Sequence, residues 1–336
     1  MSRLLLIVLL AGMVSGCAAS TTSQPASTSP ALTPFDQLTF HTTTFHLGSW
    51  PSRNGPMSHA KQGPRDKTGV RMVDVNGVLY DAPVIQAQDG AGALLNYATD
   101  QNPDDLSLAE KDAQRLIDKR VTNPATNDAW WFPYPFPYAL YGDPHDTVTP
   151  PWYSGMAQGE AVYLFTRLYE ITHDSSWKDA AVHAFHSLLY PLKVGEDPHS
   201  RPWATLVDSN GYYWIEEWTL PIVGDDTING FGFALYGVIE YAREFHDAEA
   251  TRVAYAGLTT YRYAVGRARH PGGPSSYSLS HMDKRYTGYH GVVTSQLRIF
   301  AYVTKDPTFA KLAQEFYQDY HDPPVNHAAS STAALP

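Results

Sequence analysis

Four stretches of the chain share one plan, and together they fix what it can fold into. They begin at Asp89 ("DGAGALLNYATD"), Ser154 ("SGMAQGEAVYLFTRLYEITHD"), Asn229 ("NGFGFALYGVIEYAREFHD") and His290 ("HGVVTSQLRIFAYVTKD"). Each opens on small residues, turns apolar on several sides, and ends with an aromatic residue shortly before an Asp. After Asp100, Asp174, Asp247 and Asp306 a second helical stretch follows. In it apolar residues recur at helical spacing, as in Trp177, Ala181, Ala184 and Leu188. Asp174, Asp247 and Asp306 are placed to cap those second helices. A helix-pair repeat of roughly 60 to 75 residues results. The first helix of each pair is apolar nearly all round and belongs inside, and the amphipathic second belongs outside. The expectation is a mainly α fold, an incomplete α/α toroid of about four pairs spanning residues 84–322.

Before the repeats, residues 35–83 carry β signals. Leu38 to Phe45 alternates β-branched and aromatic residues, and Asn76-Gly77 lies between two apolar runs as a hairpin turn. The N-terminus has the marks of export. Arg3 precedes an apolar run from Leu4 to Val14, too short for an ordinary membrane span, and Val14-Ser15-Gly16-Cys17 has the form of a lipobox. Residues 1–16 are therefore expected to be a signal peptide and Cys17 to carry a lipid anchor in the cell envelope. Residues 17–34, rich in Ser, Thr, Pro and Ala, form a tether, and 323–336 a disordered tail. Cys17 is the only cysteine, which excludes an intrachain disulfide and a cysteine-based metal site.

The formal charge is −10, a poor match to nucleic acid or to a highly sulfated polymer. Aromatic residues make up 13% of the chain, including 22 Tyr and 8 Trp, which suits either a packed core or a surface for flat ligands.

Connection lengths point to the working end. The turns within pairs are short, whereas the links between pairs, roughly residues 121–153, 192–228 and 267–289, are long. Successive inner helices run parallel, so all three long links share one end of the toroid. The first holds Trp152, Tyr153 and the prolines Pro133, Pro135 and Pro137 set among aromatics, with Pro150-Pro151 after them, and leads to Gln158, a candidate for a ligand hydroxyl. The second holds Glu216-Glu217 between aromatics and Asp225-Asp226 before the third inner helix. In an extended run only one residue of each acidic pair faces a given side. A carboxylate among aromatics is partly neutralised by desolvation, which suits general acid–base work. The third link, "YSLSHMDKRYTGYH", packs Tyr277, His281, Lys284, Arg285, Tyr289 and His290 together. No HExxH, DxDxDG, phosphate-loop, dinucleotide or GxSxG motif is present. The remaining chemistry uses Tyr, His and carboxylate without metal or cofactor.

Three segments, "PPWYSGMAQGEAVYLFTRLYEIT", "WIEEW…INGFGFALYGVIEY" and "YSLSH…YTGYHGVVTSQLRIFAYVTKDPTF", resemble in order the C-terminal domain of D-glucuronyl C5-epimerases, from about Trp152 to Tyr317. The resemblance implies an incomplete α/α toroid after a short β region. It also implies cofactor-independent epimerisation at C5 of hexuronic acids in a polysaccharide. It assigns proton transfer to Tyr277 and Tyr289 with Glu217 in support, and sets His281 and His290 after their tyrosines. Trp152, Tyr153, Gln158, Trp218, His281, His290 and Arg285 are the expected substrate contacts. Two positions depart from the pattern. Trp218 replaces a tyrosine and Ser280 an arginine, whose place Lys284, Arg285 or Arg201 could take. A lyase on the same scaffold, a glycan-binding protein with a relict site, and a glycoside hydrolase using Glu217 and Asp226 are the alternatives.

Overall fold

A computed structural model describes residues 32–52, 55–58, 62–220 and 224–321. The expected signal peptide, Cys17, most of the tether and the expected tail lie outside the described residues. Eight α-helices alternate as inner and outer members of four pairs: α1 Pro83–Asp100 with α2 Pro103–Lys119, α3 Gly155–Thr172 with α4 Ser175–His186, α5 Ile228–Phe245 with α6 Ala248–Ala268, and α7 Thr287–Thr304 with α8 Pro307–Asp319. This is the α/α toroid, left open after four pairs. The first helix starts earlier than its small-residue stretch suggests, because Pro83 occupies its first turn after the extended Ala82.

All four inner helices are 18 residues long. Each ends on one non-glycine residue in the left-handed region: Gln101 (φ 58°), His173 (φ 56°), His246 (φ 51°) and Lys305 (φ 57°). The following residue is an N-cap. Asp174 accepts from the Ser176 amide, Asp247 from that of Ala250, and Asp306 from those of Thr308 and Phe309. In the first pair Asn102, not Asp100, fills this role and accepts from the Asp104 amide.

Neighbouring inner helices pack in the order α1–α3–α5–α7, each backed by its outer partner. The tightest approach is between α3 and α5. A Cβ on Gly237 would lie 1.8 Å from the Gly159 carbonyl oxygen, and one on Gly159 would lie 2.5 Å from Ala234 Cα. Glycine is required there by backbone proximity. Neither α3 nor α5 exposes a residue, as expected of inner helices. α7 differs: Gly291, Ser295, Arg298 and Tyr302 form an exposed stripe, because among the described residues no fifth pair covers it.

Outside the helices, β1 (Val73–Val75) and β2 (Val78–Tyr80) form the expected hairpin, turning at Asn76 (φ 55°) and Gly77 (φ 82°). Leu38 to Phe45 forms no strand. It straps the outside of α6 instead: the Thr43 amide donates to Thr259 Oγ1 at 2.8 Å, and the Arg252 guanidinium lies over Phe35 and Phe40. Two long links contain ribbons that their sequence does not announce. β3 (Tyr138–Ala139) pairs with β4 (Thr147–Val148), and β5 (Thr205–Val207) with β6 (Tyr213–Ile215). No helix of the described residues is long and apolar enough to cross a membrane.

The α3/α5 contact and the caps should differ in weight. Gly237→Ala forces two helix backbones apart and should cost about 3 kcal/mol. Asp247→Ala removes one cap bond and should cost about 1 kcal/mol. Thermal unfolding of the two variants measures both, and equal shifts in Tm would contradict this account.

Candidate active site

A cavity of about 320 Å³ opens at the end of the toroid that carries the long links. α1 contributes Gln88 and Asp89, α5 Asn229 and Phe233, and α7 Tyr289 and Val292. The first and last inner helices thus flank it, and the links supply the rest of its wall.

One side is a stack of rings. Tyr138 stacks on Trp218 (4.9 Å between centroids), Trp218 on Trp152 (5.5 Å), and Trp152 on Tyr134 (3.8 Å). The prolines between these aromatics keep the first link extended. The Tyr134 amide pairs with the Trp152 carbonyl at 2.9 Å, and the Trp152 indole donates to the Phe136 carbonyl at 2.8 Å. Stacked in this way, the four rings hold one another in fixed orientations along the cavity.

The other side carries the titratable groups. After β6 the chain alternates, so Glu216 and Glu217 point apart. Glu217 lines the cavity. Glu216 is buried away from it, accepting from the Asp226 amide at 3.0 Å. Burial, and then the charge of Asp225, push Glu217 from 4.5 up to about 8. Its Oε1 lies 3.4 Å from the Tyr277 hydroxyl, which lies 3.4 Å from the Trp218 indole nitrogen. These contacts sit at the long limit of hydrogen bonding. The Tyr277 ring packs edge-on against Tyr289 at 4.8 Å. Burial raises both tyrosines, Tyr289 to about 12 and Tyr277 well above its ordinary value, with the Glu217 charge adding to each shift. Among the described residues, Glu217 Oε2, Asn229 Oδ1 and the Tyr138 hydroxyl are buried at this wall without a hydrogen-bond partner.

The three long links meet at Asp225. Its carboxylate accepts from Thr227 at 2.7 Å and from Tyr141 at 2.9 Å, and pairs with His281 Nδ1 at 2.8 Å. His281 Nε2 reaches Asp146 at 3.0 Å, and Tyr141 also touches Ser278. One buried carboxylate thus joins the first, second and third links beside Tyr277.

Of the residues expected from sequence, Tyr289, Glu217, Trp218 and Trp152 line the cavity, and Tyr277 stands directly behind Glu217. The others are placed differently. Gln158 is fully buried and holds the first link, accepting from the Phe132 amide and donating to the Trp130 carbonyl and Ser187. His290 is locked between the Ser275 amide and the Phe316 carbonyl. Tyr153 packs on Trp131, outside the cavity lining. His281 belongs to the Asp225 junction. Arg285 and Ser280 are exposed, so the missing arginine at 280 does not vacate the cavity wall. Arg201 is tied to Glu196 and to the Tyr190 and Pro191 carbonyls. The Lys284 ammonium lies over the Tyr141 ring, 5.3 Å from its centroid. Among the described residues the cation that lines the cavity is Arg71, which lies 3.9 Å from Asp89 and donates to the Gln62, Pro64 and Met72 carbonyls. Arg71, Tyr138, Tyr141, Asn229 and the role of Asp225 escaped the sequence analysis, because their neighbours are distant in sequence.

Residues 126–318, more than half of the chain, match the model of the D-glucuronyl C5-epimerase C-terminus. The chain belongs to the D-glucuronyl C5-epimerase family. Several solved structures align with part of this chain at low identity. A GH76 α-mannanase from Bacteroides thetaiotaomicron aligns over 72% of this chain and 58% of its own length, with 13% identity and a TM-score of 0.47. The cellobiose 2-epimerase of Bacillus thermoamylovorans aligns over 71% and 59%, with 13% identity and a TM-score of 0.48. An unsaturated glucuronyl hydrolase from Streptococcus agalactiae aligns over 70% and 56%, with 13% identity and a TM-score of 0.42. The present epimerase-family chain therefore spans less than two thirds of each of these proteins.

The raised Glu217 carboxyl carries a sign for stability. In the unfolded chain it ionises at its ordinary value, so the folded state binds that proton more tightly. Folding loses stability as pH climbs from about 4.5 through about 8. Glu217→Gln removes that loss. The variant should match the parent near pH 4 and exceed it increasingly up to pH 9, by at most about 5 kcal/mol. Denaturant titrations across this range check the slope, and a gain that shrinks with pH would contradict the assignment.

Proposed function

We propose that this protein epimerises hexuronic acid residues at C5 within a polysaccharide, without a cofactor, in the cavity between α1 and α7. The observation that carries the proposal is one buried carboxyl, Glu217, raised to about 8 and facing the cavity beside Tyr289. The reaction must break the C5–H bond next to a carboxylate and return a proton to the other face. A base with a pKa near the working pH gives the best compromise between being deprotonated and being strong. Glu217 meets that requirement as a carboxylate. Tyr289, raised to about 12, stays protonated near neutrality and serves as a donor. The electron pair left by C5–H cleavage moves onto the uronate carboxylate, and Arg71 is the lining cation nearest in chemistry to that demand.

In this scheme Tyr277 restores the site rather than touching C5. It is buried, and its hydroxyl is in reach of Glu217 while its ring packs on Tyr289. After one turnover the abstracted proton is on Glu217 and Tyr289 is short of one, and Tyr277, in reach of Glu217 and packed on Tyr289, is the group placed to help return it. Trp218 moves no proton. Its indole N–H faces the Tyr277 oxygen, where it favours that oxygen when it carries negative charge. Asp226 does not line the cavity, and its amide donates to Glu216, which takes away the support for a hydrolase using Glu217 and Asp226.

Incubation of uronate polymers in heavy water, followed by NMR, is the decisive measurement. Deuterium should appear at C5 while chain length is kept. An unsaturated product would indicate a lyase, new reducing ends a hydrolase, and no change with retained binding a glycan-binding protein. Glu217→Gln and Tyr289→Phe should each lower turnover by about a hundredfold or more, and kcat/KM should rise with pH through about 8. Full activity in Tyr289→Phe would remove that residue from the mechanism.

We further propose that the protein is held at the cell envelope by lipid on Cys17, which brings the site to extracytoplasmic polysaccharide. The order of Arg3, an apolar run and Cys17 supports this. Cys17→Ser should abolish labelling by a radioactive fatty acid and shift the protein out of the membrane fraction. Unchanged labelling would refute the anchor.

A further inference from the structure

Away from the cavity, among the described residues, one group of metal-ligating side chains converges: Asp128, His183 and His186. His183 and His186 are three residues apart and share a face of α4 near its C-terminus. Asp128 comes from the first long link. His186 Nδ1 lies 2.9 Å from Asp128 Oδ1, and His183 Nδ1 lies 3.2 Å from Asp128 Oδ2, with all three ligand atoms within 4.8 Å of one another. For a tetrahedral zinc with bonds of about 2.0–2.1 Å, ligand atoms stand about 3.3 Å apart. The two histidine–carboxylate separations are close to that value, a bound ion would take the place of the present contact of His183 Nδ1 with the Asp128 main-chain carbonyl at 2.8 Å, and the half-exposed carboxylate leaves a path for an ion.

We propose that Asp128, His183 and His186 bind a divalent transition metal of the zinc class, which clamps the first link to the end of α4. Three features favour a cation here beyond the ligand set. The helix C-terminus presents the negative end of its dipole. Glu249 lies within electrostatic range of His186. The His183 ring is already held in place, stacked on Trp130 at 4.7 Å and 7°, while the Trp130 amide donates to the His183 carbonyl at 2.9 Å. A ligand whose ring is fixed in advance loses little freedom on binding. Three protein ligands leave a position for water, and two imidazoles with one carboxylate select zinc, nickel or copper over calcium or magnesium. The clamp acts on the segment that runs on to Tyr134, Phe136 and Tyr138, the aromatic side of the cavity. Its expected effect is on the order and stability of that wall.

The test uses the whole chain without a histidine tag, stripped with chelator and titrated with zinc chloride by calorimetry. One equivalent should bind, and saturating zinc should raise Tm by about 4 °C or more. Magnesium should do neither. His183→Asn/His186→Asn should bind at least tenfold more weakly and lose the Tm response. Cobalt added to the unaltered protein should give the visible absorption of a tetrahedral nitrogen–oxygen site, a readout that does not depend on the variant folding. No binding, binding unchanged in the double variant, or a cobalt spectrum of free aqueous ion would each overturn the proposal.

Discussion

At Gln101, His173, His246 and Lys305 the chain enters the left-handed region for one residue and leaves it at once into a capped outer helix. An L-residue pays roughly 1–2 kcal/mol for that conformation, and the cap that follows returns about 1 kcal/mol. The result is a reversal of fixed length, repeated four times. Because one end of every pair is closed so tightly, everything variable is displaced to the opposite end. The long links gather there, and the cavity lies among them.

That arrangement divides the cavity into two unlike sides. The aromatic side comes mainly from the first link and is held by backbone bonds and by Gln158. The acid–base side comes from the second and third links and from α7. Asp225 ties all three links with bonds to Thr227, Tyr141 and His281. A buried carboxylate with three donors is costly to disturb, so the geometry around Glu217 and Tyr277 rests on a residue that does not line the cavity. Burial that would be a penalty in an ordinary core is what brings Glu217 into the neutral range. The pH dependence of stability is set by the same desolvation.

The helix pairs, three of the four caps and the Asn-Gly hairpin were legible in the sequence, because periodicity, capping and turn chemistry are local. The opposite facing of Glu216 and Glu217 was legible for the same reason. The β3–β4 and β5–β6 ribbons were not, since each is only two or three residues long and its pairing depends on the loop closing. Leu38 to Phe45 has strand periodicity but finds no partner strand, and packs on α6 instead. Gln158 and His290 looked like ligand groups by type. Their partners, backbone groups and the Ser187 hydroxyl, lie far along the chain, which no spacing reveals. Trp218 and Ser280 departed from the family pattern in sequence alike, yet one is central to the wall and the other faces solvent. His183 and His186 are spaced to share a helix face, but Asp128 joins them only through the fold.

The stacked rings of Tyr134, Trp152, Trp218 and Tyr138 have a consequence of their own. Two indoles with centroids 5.5 Å apart do not absorb independently. Their transition dipoles couple, so the wall behaves as one chromophore whose circular dichroism depends on the angle between the rings. Any ligand that turned one ring against the other would change that signal. The wall is thus an optical gauge of its own occupancy, built in without a label.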